Sequence, residues 1–160
     1  IAFLMRVGNA DIDIDVELPD ATMSAQFDRR LISQALTNII KNATEAIAAL
    51  PPGSDKGRIV VSAERQGSDI VIDVVDNGIG LPQENRSRLL EPYVTTRDKG
   101  TGLGMAIVGK ILEDHGGAIE LHDAAEKVPG QRGAWIRMRF AADTAAEAKP
   151  AAEPAMTVGK

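Results

Sequence analysis

The chain has no cysteine and few aromatic residues: three phenylalanines, one tyrosine and one tryptophan among 160 positions. Without thiols there is neither a disulfide framework nor a thiolate metal site, which agrees with a reducing compartment. Scarce rings and a net charge of −5 leave no basic, aromatic-studded surface for tracking phosphates and stacking bases, so nucleic acid is not an expected partner. No apolar run approaches the length of a membrane span. The opening "IAFLMRVG" also lacks the basic-then-apolar layout of a signal peptide. The chain reads as soluble. Beginning mid-pattern without an initiator methionine, it also reads as a piece of something longer.

What is present suits one compact domain. Hydrophobic residues make up 44% of the chain, and a domain of this size buries roughly two thirds of its surface. "DIDIDVEL", residues 11–18, alternates charge with branched apolar residues, the period of a half-buried strand whose aspartates face water. A calcium-loop reading of Asp11, Asp13 and Asp15 fails because Val16 takes the place where the turn needs glycine. The pattern predicts a long helix from about Asp28 to Leu50, with Asp28 as N-cap and Pro51-Pro52 as the stop. "RIVVSAER" and "DIVIDVVD" follow as strands joined by the turn "QGS", and Pro82 opens a short helix through Leu90. A second helix is expected from about Leu103 to Asp114, then the strands "GAIELHD" and "GAWIRMRF". From Ala141 onward alanine, proline and charge prevail without periodicity, so residues 141–160 read as a disordered tail behind a domain spanning 1–140. This order implies an α/β two-layer sandwich, a mixed and mostly antiparallel sheet packed on about three helices.

Three constellations carry chemistry. On the long helix Leu31, Ile32, Ala35, Leu36, Ile39, Ile40, Ala43 and Ile47 fill one arc. Asn38, Lys41 and Asn42 lie at its edge, either as solvated flank residues or as amide oxygens for a hard cation such as magnesium. In "DIVIDVVDNGIGLP" the alternation places Asp76 after Ile70, Ile72 and Val74 on the core face. A carboxylate there must accept hydrogen bonds, from the amides of its own turn or from a ligand donor, with Gly78 and Gly80 letting backbone approach that ligand. Finally, "GTGLG", residues 100–104, runs into the second helix, so free amides and the positive helix end meet where side chains are missing. Thr95, Thr96, Arg97 and Lys99 precede it with hydroxyls and positive charge, as a cover over phosphates would need. A Walker A loop is excluded, because Ile111 stands where a hydroxyl should follow Lys110. Neither glycine cluster has the spacing of a dinucleotide fingerprint.

"LTNIIKNATEA", "DNGIGLP", "EPYVTT" and "GTGLGMAIVGKILEDHGG" resemble, in order, the N, first glycine, F and second glycine boxes of the sensor histidine kinase ATP-binding domain. The wording "EPYVTTRDKGTGLG" is similar in particular to NtrY-type nitrogen-regulation sensors. The resemblance implies the Bergerat (GHKL) sandwich shared with Hsp90, MutL and gyrase ATPase domains, with ATP and Mg2+ as ligands. It makes Asn42 a magnesium ligand helped by Asn38, and gives Asp76 the adenine amine. Gly78 and Gly80 would line the base, while Gly100, Gly102 and Gly104, with Thr96, Lys99, Thr101 and Leu103, would surround the phosphates. Residues between Pro92 and Lys99 would form a lid. Asn38, Lys41 and Arg97 would serve catalysis; an asparagine at 38, where hydrolytic relatives carry a water-activating glutamate, implies phosphoryl transfer over hydrolysis.

Two positions depart from that pattern. Glu45 and Ala46 stand where many such kinases carry a lysine and an aromatic. His115, before two glycines, and His122, in a strand, lack the context of a phosphoacceptor. The resemblance therefore implies a catalytic fragment whose acceptor histidine lies on a separate dimerisation domain of the same kinase. It further implies a response regulator of the NtrX type, a cytoplasmic position in an inner-membrane sensor, and a monomeric fragment. The alternatives are an ATPase of the same fold coupling hydrolysis to conformational change, and a noncatalytic nucleotide- or partner-binding module.

Overall fold

The computed structural model describes residues 12–94 and 102–143. The chain runs β1 (Ile12–Glu17), α1 (Arg29–Ala48), β2 (Gly57–Gln66), β3 (Asp69–Asp76), α2 (Gly104–Asp114), β4 (Ala118–Asp123) and β5 (Ala134–Ala141). Short 3-10 turns at Arg86–Leu90 and Ala124–Glu126 complete it. The strands form one sheet in the order β1-β2-β3-β5-β4. β1 runs parallel to β2 and the other pairings are antiparallel. This is the mixed sandwich that the element order implied.

Both α-helices lie on one face of the sheet. Ile32, Ala35, Leu36, Ile39, Ala43, Ala46 and Ile47 of α1 are buried with Val108, Ile111 and Leu112 of α2. Beneath them sit Ile59, Val61, Val74, Ile136, Met138 and Phe140 from the strands. The expected arc is largely this set, but Leu31 is 37% exposed while its neighbour Ile32 is buried, and Ala46 is buried in addition. Asp28 caps α1 as expected: its carboxylate accepts the amides of Arg30 at 2.8 Å and Leu31 at 3.3 Å.

Two boundaries differ from the sequence reading. The helix expected from Pro82 is a 3-10 turn beginning only at Arg86, after Asn85 enters the left-handed region at φ 55°. At the other end, β5 includes Ala141, and the amides of Ala142 and Asp143 bond to the Ser68 and Ser24 carbonyls. Residues 144–160 lie outside the described part.

Candidate nucleotide site

Asp76 ends β3 on the core face and is 3% exposed. Its Oδ1 accepts the amides of Gly78 at 2.8 Å and Ala134 at 3.3 Å. Burial of this carboxylate is thus matched by fixed donors, as it must be. Gln131 donates to the Asp76 carbonyl at 3.3 Å, so the β4–β5 connection holds the same residue from behind. That approach is so close that a Cβ on Gly133, at φ 116°, would fall 1.9 Å from the Asp76 carbonyl oxygen. Sequence reasoning missed Gly133 because nothing local in "RGAW" marks it; its need arises only when β5 pairs with β3.

The turn after Asp76 is clamped on both sides. The Asn77 side chain bonds the Lys56 carbonyl and the Arg58 amide of β2, and the Ile79 amide donates to the Ala46 carbonyl of α1 at 3.1 Å. Gly78 was expected to line the base site. Instead it faces α1, where a Cβ would come 2.6 Å from the Ala46 backbone. Its contribution to the cavity side is therefore its amide, through Asp76. Gly80 does line the cavity.

α2 opens on that same cavity, which has a volume of about 390 Å3 and brings together Asn38, Lys41, Asn42, Asp76, Gly80, Gly102, Leu103 and Gly104. Leu103, the N-cap of α2, has a side chain that makes no capping hydrogen bond. A Cβ added to Gly104 would find its nearest neighbour, Asn42 Oδ1, at 4.0 Å. Among the described residues nothing requires glycine there; what glycine leaves open is cavity space at a helix N-terminus. Asn38 spans the two helices, its Nδ2 donating to the Gly104 carbonyl at 3.4 Å. Lys41 is 71% exposed at the rim and pairs at 3.9 Å with Glu45, a surface contact of little energetic weight. Glu45 and Ala46 also line the cavity, so its wall carries no ring at these positions.

Tyr93 and Gly102 bracket the expected lid. The Tyr93 amide donates to the Gly102 carbonyl at 3.0 Å. Gly102, at φ 66°, lies so close that a Cβ would come 2.6 Å from the Tyr93 backbone. Thr95, Thr96, Arg97, Lys99, Gly100 and Thr101, all expected at the phosphates, lie outside the described residues. Neither histidine lines the cavity. His122 stacks on Trp135 between Glu120 and Glu126, and His115 closes α2.

Residues 27–144 match the family described as histidine kinase-, DNA gyrase B- and HSP90-like ATPases. The chain belongs to this family. Within it, the nitrogen regulation protein NtrY of Azorhizobium caulinodans is 63% identical over 153 residues. That match covers 95% of this chain and 18% of NtrY, so the chain spans under a fifth of that relative's length. The solved catalytic domain of histidine kinase ThkA is similar with a TM-score of 0.67 at 30% identity, covering 82% of this chain and 80% of that one. Full-length ShkA in complex with AMPPNP gives a TM-score of 0.66 at 25% identity, covering 82% of this chain and 26% of that one. The 160 residues are an ATP-binding catalytic domain of the histidine-kinase branch of this ATPase family.

Among the described residues of this kinase-type ATPase domain, no group of three or more histidines, aspartates or glutamates is placed to hold a metal. Its polar cavity wall offers amide oxygens instead, a donor set that suits a divalent ion arriving with phosphates. Among the same residues no helix is long and apolar enough to cross a membrane.

Proposed function

We propose that the cavity binds Mg-ATP and that the domain transfers the γ-phosphoryl group to a histidine on the dimerisation domain of the same kinase. The observation that carries this reading is the space that the described residues leave at Gly104, where the N-terminus of α2 faces Asn42 across a cavity that has Asp76 in its wall. Asp76, fixed through Oδ1 by two backbone amides, presents a carboxylate to the exocyclic amine of adenine. The amides of α2's first turn meet the phosphates, and Asn42 with Asn38 supplies oxygen to the metal. Magnesium, when bound, neutralises charge on the phosphate oxygens.

The chain's own part is then positioning. Asn38 cannot take a proton from water, and its amide nitrogen is engaged with Gly104, which supports transfer over hydrolysis. Lys41 and Arg97 add positive charge at the rim and in the lid, and Thr96, Lys99, Gly100 and Thr101 complete the phosphate cradle. His115 and His122, turned to other partners, leave the acceptor role to a histidine elsewhere. A response regulator of the NtrX type takes the phosphoryl group onward, on the cytoplasmic side of an inner-membrane sensor.

Calorimetric titration with AMPPNP, with and without magnesium, tests the reading on wild type, Gly104→Val and Asn42→Ala. Valine at 104 should weaken binding by about a hundredfold or more by filling the cradle. Asn42→Ala should remove chiefly the magnesium-dependent part. Labelled phosphate appearing on an added dimerisation segment separates a kinase from a module that only binds. Steady ATP turnover without that segment would instead point to an ATPase.

A further inference from the structure

His115 joins the two helices that form the cavity, and its hydrogen bonds select its tautomer. The Asp28 amide can only donate, and it lies 3.0 Å from His115 Nε2. The Ile111 carbonyl can only accept, and it lies 2.6 Å from His115 Nδ1. Nε2 must therefore be the acceptor and Nδ1 must carry the proton. Two independent partners select the same neutral tautomer.

The placement of this contact gives it a purpose. Asp28 is the N-cap of α1 and His115 is the C-cap of α2. About ten residues further along each antiparallel helix, some 15 Å away, Asn38 meets Gly104 at the cavity mouth. The pair is tied at both ends, once beside the nucleotide site and once remote from it. Between the ties the helices bury Ala35, Val108 and Ile111 in the common core, and these small or branched apolar side chains make no directional bonds.

We propose that neutral His115 is a positioning residue that sets the register of α2 against α1, and through it the separation of Gly104 from Asn38 and Asn42. The proposal rests on the nucleotide reading above. Protonation of Nε2 would set two donors against each other and release the remote tie. The Asp28 carboxylate acts electrostatically on His115, while Glu113 and Asp114 of α2 are paired with Lys110.

The test uses the 160-residue chain and two substitutions that divide the contacts. Glutamine places its carbonyl oxygen near the position of Nε2 and keeps the bond from Asp28; asparagine reaches only the Nδ1 position. AMPPNP affinity should stay within about twofold for His115→Gln and weaken by about two- to tenfold for His115→Asn. Asp28 amide exchange should accelerate only in the asparagine variant. Nitrogen-15 spectra of wild type should show the neutral Nδ1–H form. An Nε2–H tautomer, or equal effects of the two substitutions in folded protein, would overturn the proposal. A wild-type chain that binds no AMPPNP at all would remove the nucleotide reading and this role with it, while the tautomer and Asp28 exchange would still be read.

Discussion

Asp73 and Asp76 stand three positions apart on β3, one on each face of the sheet, and are 1% and 3% exposed. Asp73 looks away from the helices and is roofed by side chains. Trp135 Nε1 and Arg137 Nε donate to its Oδ1 at 2.8 and 2.7 Å, while Arg137 Nη2 and Lys127 Nζ donate to Oδ2. Burial alone would raise its pKa, but bonds from Arg137, Lys127 and Trp135 more than offset that and bring it down to about 2. Asp76 is oriented by two backbone amides on one oxygen and borders a cavity. The same residue type, equally buried on the same strand, is a structural tie where cations cover it and, on the proposed reading, a recognition group where it borders a cavity. What lies above a buried carboxylate decides its use.

The largest effect expected from this contrast is on stability. Asp73→Ala strands Arg137 and Lys127 over the sheet and should cost about 3–5 kcal/mol in denaturant unfolding, with AMPPNP affinity of the folded protein unchanged within about twofold. Asp76→Asn should do the reverse. It keeps an acceptor for the two amides, so stability should move by no more than about 1 kcal/mol, while affinity falls about ten- to a hundredfold. If both substitutions cost stability and spare binding, the distinction between the two faces is gone.

A smaller effect concerns acid. Because Asp73 has a folded pKa of about 2 against an ordinary 3.8, its stabilisation is complete above 3.8 and is lost as pH falls toward 2. That loss amounts to about 2 kcal/mol. Urea unfolding at pH 5 and near pH 2.5 should show acid sensitivity reduced by this amount in Asp73→Asn. The smallest is Trp135→Phe, which removes one donor from Asp73 and should cost about 1 kcal/mol with no change in binding.

Much of this was legible in the sequence because it depends on local periodicity. The alternation in "DIVIDVVD" put Asp76 on the core face, and the helical arc located Asn38 and Asn42 at its margin. The burial of Asp73 was not legible. Lys127, Trp135 and Arg137 reach it from 54 to 64 positions away, and only the pairing of β3 with β5 brings them over it. Gly133 escaped for the same reason, and Gly78 was misdirected because spacing says that backbone comes close without saying to what. His115, rejected as an acceptor, gave no sign of its tie to Asp28, since the 87 positions between them carry no period.

The hydrogen bond from the Tyr93 amide to the Gly102 carbonyl fixes the span that the chain between them has to close. With the ends of the intervening stretch fastened together, its contour length hardly enters the folding free energy: doubling a flexible loop costs only about 0.6 kcal/mol. A change in the number of residues between positions 93 and 102 is therefore a matter of chain entropy more than of the packing of the fold that carries them.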